Sequence, residues 1–138
     1  MNEVAILTEM IHDPVVWIIN SQHWPRAYLR AELIERGFDA AGFITPQQAL
    51  AALNHPWYAR PRLIVLELFE LEAKRSEIAA VARLGIPTIV LGGAVQMNEQ
   101  WIRACEWAYV VQRPFTVGDV ADRAEKLIKD TNLGDIVP

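Results

Sequence analysis

Short, continuous apolar runs recur along this chain, and they limit the possible folds more than any other feature. Val15-Val16-Trp17-Ile18-Ile19, Leu63-Ile64-Val65-Leu66 and Pro87-Thr88-Ile89-Val90-Leu91 are rich in β-branched residues. Runs of this length are typical of strands that are buried on both faces of a parallel sheet. Weaker strand patterns cover residues 38–44 and 109–112. The sequence therefore predicts five strands.

Helical segments separate these strands. Pro25 suits a first helical turn, Thr45-Pro46-Gln47-Gln48 combines a capping box with an N-terminal proline, and Gly37 and Gly85 suit helix ends. The predicted helices cover residues 25–36, 46–53, 73–84, 99–107 and 117–129, the last two capped by Asn98 and Thr116. Alternating strands and helices predict a doubly wound α/β domain of the flavodoxin-like type, with a five-stranded parallel sheet in the order 2-1-3-4-5.

The length of 138 residues and the 52% hydrophobic content suit one packed domain. The strand and helix patterns place this domain at residues 14–129. Residues 1–13 are then an N-terminal extension and residues 130–138 a C-terminal tail without a clear period.

Charge and composition argue against several classes of function. A net charge of −4 and a pI of about 5.3 do not favour binding to nucleic acid or to an anionic membrane. Cys105 is the single cysteine, which excludes an internal disulfide and a multi-cysteine zinc site. No apolar run approaches the roughly 18 residues of a membrane span, and acidic residues near the start do not suit a signal peptide. We expect a cytoplasmic protein.

Candidate site residues follow from the predicted topology, because ligands of such folds bind at the carboxyl ends of the strands. Asn20 and Ser21 follow the first strand, Glu67 ends the third, and Gly92-Gly93 closes the fourth. Gln112-Arg113-Pro114-Phe115-Thr116 follows the fifth strand. These segments should meet at one edge of the sheet.

Leu63-Ile64-Val65-Leu66-Glu67-Leu68 and Tyr109-Val110-Val111-Gln112-Arg113-Pro114-Phe115-Thr116 resemble segments of bacterial response-regulator receiver domains. The resemblance extends over residues 14–129 in order and length. It implies a regulatory module of two-component, phosphorelay-type signal transduction. In a working receiver, two acids after strand one and an aspartate ending strand three hold Mg²⁺ and accept a phosphoryl group. A hydroxyl residue after strand four and a lysine before Pro-Phe complete that site.

This chain departs from the receiver pattern at each of those positions. Asn20 and Ser21 replace the acidic pair, and Glu67 replaces the phosphoaccepting aspartate. Gly92 stands in place of the hydroxyl residue, and Arg113 (or Gln112, one residue earlier) in place of the lysine. The loop Phe69-Glu70-Leu71-Glu72 lacks the usual Met-Pro and Asp-Gly features, and Val110 stands where a switching aromatic often lies.

The formal charge at the three acid positions is −3 in a working receiver and −1 in this chain, so Mg²⁺ binding should be lost or weak. Phosphoryl transfer would then lose its main electrostatic support. We therefore expect a degenerate receiver, or pseudo-receiver, that is not an enzyme, has no catalytic residues, metal or cofactor, and acts through protein contacts. The resemblance further implies a cis peptide at Arg113-Pro114 and partners such as a histidine kinase or an output domain.

The resemblance also places a partner surface on the fourth helix, fifth strand and fifth helix. If Ile102 and Cys105 point to the core, Trp101 lies about 100° round the helix, on the side of Ala104 and Ala108. An exposed aromatic among small residues suits a dimer interface. We expect a homodimer through this face, although Trp101 can equally fold over the adjacent strand.

Several alternatives remain open. Glu67 is either a phosphomimic paired with Arg113 or a plain solvated carboxylate, and Gly92-Gly93 is either a phosphate cradle or a turn that needs positive φ. Rival functions are phosphoacceptance by an atypical carboxylate and small-ligand binding at the mouth formed by Asn20, Gly92 and Arg113. His12, His23 and His55 are too dispersed for a metal centre, and no glycine-rich phosphate loop follows the first strand.

Overall fold

The computed structural model describes residues 15–68 and 75–136, with side chains as far as residue 130. Within these residues, five strands form one parallel sheet in the order β2-β1-β3-β4-β5, as the sequence predicts. The strands are β1 Val15–Ile19, β2 Asp39–Phe43, β3 Leu63–Glu67, β4 Thr88–Gly92 and β5 Tyr109–Gln112.

Six helices are present in the same part of the chain: α1 His23–Glu35, α2 Pro46–Ala52, α3 Arg75–Ala82, α4 Ala94–Met97, α5 Gln100–Arg103 and α6 Val117–Ile136. Their ends follow the local signals. The Thr45 hydroxyl accepts from the Gln48 amide, and Thr116 and Asp119 exchange side-chain hydrogen bonds with each other's backbone N–H. Gly37 and Gly85 end helices with φ of +92° and +77°.

Each face of the sheet carries its own core, because successive strand residues point to opposite faces. Val16, Ile18 and Val65 lie on one side, beneath α1 and α6. Trp17 and Ile64 lie on the other side, against α2, α3 and α5. No described helix is long and apolar enough to span a membrane.

The helix predicted for residues 99–107 is wrong in extent. The Gln96 side chain accepts a hydrogen bond from the Gly93 backbone N–H, and a helix begins at Ala94, five residues earlier than predicted. That helix, α4, ends at Met97, and Asn98, predicted as an N-cap, is its C-cap. Glu99 has extended backbone (φ −62°, ψ 128°), which separates α4 from α5, and α5 ends at Arg103.

Two further boundaries differ from the sequence analysis. The first helix begins at His23, before Pro25, and the last continues to Ile136, beyond the period that ends near Lys129. The predicted extension at residues 1–13 and the loop at residues 69–72 lie outside the described residues.

Arg36, the C-cap of α1, joins α1 to α6. Its guanidinium lies 3.0 Å from the Glu32 carboxylate, 2.5 Å from that of Asp122 and 3.5 Å from that of Glu125. Three carboxylates around one half-buried cation form a network rather than an isolated surface pair. Such a network stabilises more than single exposed pairs do.

We expect Arg36→Ala to lower the free energy of unfolding by about 1–2 kcal/mol, since three carboxylates lose their shared counter-charge. The loss should shrink in 1 M NaCl (roughly a 3 Å Debye length) because salt screens the network. Urea unfolding at low and high salt measures both effects. Lys129→Ala, which removes one exposed pair with Glu125, is the matched control and should cost less than about 0.5 kcal/mol. Equal losses for the two variants would contradict the interpretation.

Candidate functional site at the strand ends

The carboxyl ends of β1, β3, β4 and β5 meet at one edge of the sheet. The register pairs Ile19 with Leu66, Glu67 with Leu91, and Gly92 with Gln112. Asn20, one residue beyond β1, therefore lies beside Glu67. Arg113 comes directly after β5 and lies next to Gly92. The structure brings the predicted site residues together, with Ser21 half-buried in the turn before α1.

Asn20 supports the backbone around it. The residue is 6% exposed, and its side-chain oxygen accepts from the Gln22 amide at 2.9 Å. The backbone N–H of Asn20 donates to the Phe43 carbonyl at 3.0 Å, which ties the end of β1 to β2. The side-chain oxygen that could have faced a cation instead satisfies a free N–H at the start of α1.

Arg26 contacts the backbone of Asn20, one of the two residues that replace the acidic pair. Its guanidinium donates to the Asn20 carbonyl at 2.8 Å, and its aliphatic stem passes over Gly42. Sequence reasoning missed this residue, because an arginine in the first turns of a helix carries no signal of the carbonyl that it will reach. A guanidinium here opposes the approach of a divalent cation.

Glu67 and Arg113 form an ion pair at the centre of the site, between Oε1 and Nη2. The Glu67 side chain is 5% exposed, whereas that of Arg113 is 42% exposed. Burial raises the pKa of the Glu67 carboxyl, and the Arg113 guanidinium opposes this rise. The Glu67 carboxylate is therefore paired with a guanidinium rather than freely solvated.

Arg113, not Gln112, is the residue that reaches Glu67. Gln112 is the last residue of β5 and is exposed. The Arg113 amide donates to the Gly92 carbonyl at 2.9 Å, which continues the ladder one residue beyond the strands. The Arg113–Pro114 peptide is cis, as the resemblance implies.

Gly92 does not need glycine for its backbone conformation, and a side chain at this position would first meet the flexible end of Met97. Among the described glycines, positive φ occurs at Gly37 and Gly85, and Gly93 has a φ of −84°. The positive-φ interpretation of Gly92-Gly93 is therefore wrong. A Cβ at Gly92 would overlap the terminal methyl of Met97 and lie 3.1 Å from the Gln96 side-chain oxygen. A hydroxyl residue has no room there unless Met97 moves.

A small cavity of about 50 Å³ lies beneath the ion pair. Asn20 and Glu67 contribute its polar part, and the rest is apolar: Pro25, Leu29, Leu91, Phe115, Val117 and Val120. Among the described residues, no group of three or more His, Cys, Asp or Glu side chains is placed to hold a metal ion. The site thus presents one buried carboxylate that is already paired with a guanidinium.

The predicted interface residues do not share one helix face. Trp101 is half-buried against the core that contains Trp17 and Ile64. The Arg75 guanidinium lies 5.0 Å from its ring centre. Ala104 is the C-cap of α5, and Ala108 lies beyond that helix, bonded to the Thr88 carbonyl. Trp101 folds down, so it is not the exposed anchor that its spacing suggested.

Within the predicted partner face, the exposed apolar side chains are instead Val95 of α4, which is 80% exposed, and Tyr109 and Val110 on the outer edge of β5. The Arg123 guanidinium of α6 lies 3.7 Å from the centre of the Tyr109 ring and donates to its hydroxyl at 2.9 Å. The predicted strand order already made β5 an edge strand, but the sequence did not show which of its side chains would be exposed.

The raised pKa of Glu67 predicts how Glu67→Gln changes stability with pH. The folded-state pKa lies above that of the unfolded chain, so the folded protein binds more protons between the two values. The stability of the wild type should therefore fall, relative to the glutamine variant, as pH rises through that window. Urea unfolding between pH 4 and 8 measures the difference.

Arg113→Gln is the companion variant for that experiment. It removes the charge that lowers the pKa of Glu67, so the fall in stability should extend to higher pH than in the wild type. A wild-type stability that rises relative to Glu67→Gln over the same pH range would contradict this account of the site.

No family model matches the sequence, and the search of curated proteins finds no match. Solved structures do match. A response regulator receiver protein from Pseudomonas putida is 22% identical, with a TM-score of 0.65, over 83% of this chain and 97% of that chain. A response regulator from Thermotoga maritima is 17% identical, with a TM-score of 0.68, over 85% and 98% of the two chains.

The chemotaxis response regulator CheY4 of Vibrio cholerae is 15% identical, with a TM-score of 0.68, over 83% of this chain and 98% of that chain. In all three comparisons the similarity includes nearly the whole length of the solved domain. At such identities the likeness concerns the fold. The chain has the five-stranded, doubly wound fold of response regulator receiver domains.

Proposed function

We propose that this chain is a receiver-like regulatory module of phosphorelay-type signal transduction that acts through protein contacts, without phosphorylation and without enzymatic activity. The observation that carries the proposal is the ion pair between Glu67 and Arg113. A negative charge and its cationic partner are both built into the chain at the strand ends. The site therefore has the charge arrangement of a phosphomimic.

Electrostatics support independence from Mg²⁺. Glu67 is the one carboxylate among the candidate site residues, and Arg113 already neutralises it. The Arg26 guanidinium donates to the backbone carbonyl of Asn20, which stands in place of one of the two acids. Hard divalent cations need several oxygen ligands, preferably charged. Because the candidate site residues supply one carboxylate, and that carboxylate is paired with Arg113, we propose that no Mg²⁺ binds at physiological concentration and that no cofactor is used.

Phosphoacceptance by Glu67 is the first alternative. The carboxylate would have to leave its ion pair, and its 5% exposure limits access to a phosphodonor. Without a metal ion, charge developing on the phosphoryl group would lack its usual stabilisation. Both points favour the phosphorylation-independent proposal.

A small-ligand-binding or enzymatic flavodoxin-like domain, with its site at the mouth formed by Asn20, Gly92 and Arg113, is the second alternative. It needs a deep pocket at the strand ends, whereas the cavity there is about 50 Å³. Ligand pockets usually have volumes of roughly 300–1,000 Å³. A protein partner suits this edge of the molecule better. A module of this kind would work in the cytoplasm with a kinase, an output domain or a second copy, and without nucleic acid or membrane.

We expect no covalent phosphorylation when the full chain is incubated with a small-molecule phosphodonor and Mg²⁺. Intact-mass spectrometry should show no addition of one phosphoryl group. Tryptophan fluorescence should not change with beryllofluoride and Mg²⁺, because Glu67 remains paired with Arg113. Glu67→Gln is the matched control, since a phosphoryl group that is also added to this variant must be attached to a residue other than Glu67. A stable phosphoryl adduct that the glutamine variant lacks would overturn the proposal.

We further propose a homodimer through the face formed by α4, α5, β5 and α6. Tyr109 and Val110 support it, because they expose apolar surface on an edge strand. Trp101, Ala104 and Ala108 lie in or beside the same face, with Ala104 and Ala108 exposed at its rim. In this arrangement the β5 edge, rather than Trp101, is the centre of the contact.

Val110→Glu should raise the dimer dissociation constant at least about tenfold, since it places a charge at the centre of the apolar contact. Light scattering over a concentration series measures the change. Ile34→Glu is the matched control, because Ile34 is an aliphatic residue of similar exposure on α1, outside the face. A monomeric wild type at high concentration, or equal effects of the two variants, would exclude this interface.

A further inference from the structure

A groove of about 570 Å³ runs along the outer side of β2, next to α1. Its lining includes one face of α1 and a single residue of β2: Arg26, Ala27, Arg30, Ala31, Ile34 and Gly42. Ligand pockets usually have volumes of roughly 300–1,000 Å³, so the groove has room for several side chains of a peptide segment.

Two guanidinium groups are fixed along this groove by backbone carbonyls. Arg26 donates to the Asn20 carbonyl, and Arg30 donates through Nε to the Ala40 carbonyl, both at 2.8 Å. Among the described residues, neither guanidinium has a carboxylate within ion-pair distance. Each keeps N–H groups that the carbonyl does not use. A carboxylate can therefore bind both arginines without displacing them.

The rest of the groove and its rim are apolar. Ile34 is 44% exposed, and Trp24 and Tyr28 stack on each other with ring centres 5.8 Å apart and most of their surface exposed. Ala27 and Ala31 each follow one of these rings by three residues, so they are its neighbours on the helix surface. The result is a continuous exposed apolar patch, which is typical of an interaction site.

The outer edge of β2 is blocked to a further strand except at one residue. Alternate residues of β2 direct their backbone groups away from β1. The Ala40 carbonyl accepts from Arg30, and the Ile44 N–H donates to the Gln48 side chain at 3.0 Å. Within the described part of the chain, the backbone groups of Gly42 have no such partner. An occupant of the groove must therefore bind mainly through its side chains.

Residues 1–14 have the composition that this groove requires. They contain no Lys or Arg, and their acidic and large aliphatic residues are Glu3, Glu9 and Asp13 together with Val4, Ile6, Leu7, Met10 and Ile11. The C-terminal segment, residues 131–138, contains one acidic residue, and residues 69–74 contain a lysine and join β3 to α3 on the other side of the sheet. Charge complementarity thus favours residues 1–14.

The position of Val15 brings this segment to the groove. Val15 begins β1 and pairs with Asp39 of β2, and the next residue of β2 is Ala40, which binds Arg30. Neighbouring strands lie about 4.8 Å apart and an extended residue spans about 3.3 Å, so three residues carry the chain past β2. Glu9, six residues before Val15, is therefore within reach of the groove.

We propose that residues 1–14 dock in this groove, with the Glu9 carboxylate beside Arg26 and Arg30 and the aliphatic side chains on its apolar floor. The inference goes beyond the proposed function and does not depend on it. The docked segment covers the apolar patch of α1 and the opening at Gly42. It thereby prevents the edge strand β2 from pairing with another chain.

Paramagnetic broadening in NMR tests the docking in the full chain. A nitroxide is attached to Thr8→Cys in a Cys105→Ser background, which leaves one thiol for labelling. The amide signals of Ala27, Ala31 and Gly42 should lose most of their intensity relative to the sample with reduced nitroxide. A second sample mixes nitroxide-labelled chains with isotope-labelled chains that carry no nitroxide. The groove signals of that sample should keep their intensity.

Charge reversal tests which side chains hold the segment. Glu9→Lys should lower the docking equilibrium constant about two- to fivefold, the range of partly exposed ion pairs, and restore intensity to the groove signals. Adding Arg30→Glu to Glu9→Lys should recover docking, because the charges are exchanged. Arg83→Glu is the matched control, since Arg83 is an exposed arginine directly after α3. It should not recover docking.

Any of three outcomes would overturn the proposal. The first is full intensity of the groove signals in the labelled wild-type background. The second is equal broadening in the mixed sample, which would assign the groove to a segment of a second copy. The third is broadening that Glu9→Lys leaves unchanged. If the variant with Arg30→Glu does not fold, the mixed sample and Glu9→Lys still decide the question.

Discussion

Burial of the central strands on both faces is the constraint on which the rest of the structure depends. β1, β3 and β4 carry apolar side chains above and below the sheet, so helices must cover both sides. Helical crossovers then require parallel strands, and parallel strands have their carboxyl ends at one edge. The place of the site is therefore a consequence of how the chain buries its apolar runs.

At that edge, Glu67 and Arg113 form an ion pair. Burial disfavours the ionised form of Glu67, and the guanidinium of Arg113 offsets part of that cost. A second guanidinium, that of Arg26, lies beside the Asn20 carbonyl. This paired carboxylate is the basis of the function proposed above, in which the surface of the module carries the signal.

Packing beside the ion pair matters as much as charge. The missing side chain at Gly92 is matched by the methyl group of Met97, so the two positions can only be understood together. The short helix α4 packs into the core through Met97, which is 8% exposed. Steric fit and electrostatics thus meet at the end of β4.

The sequence by itself determined the fold class, the strand order and most helix ends, because these depend on local periodicity, capping residues and glycine conformation. Thr45, Thr116, Gly37 and Gly85 act where their local signals indicate. Through the resemblance to receiver domains, the sequence also singled out Glu67 and Arg113 as a candidate pair. Their positions were predictable because a parallel sheet places its strand ends together.

Only the tertiary structure decided which side chains touch. Whether Arg113 or Gln112 reaches Glu67, and whether Trp101 turns outward or folds beneath Arg75, depends on side-chain packing between residues far apart in the chain. The sequence likewise cannot show the role of Gly92, since a glycine that leaves space for a neighbour and a glycine that adopts positive φ are the same residue. Non-local packing selects among conformations that local preferences leave equally possible.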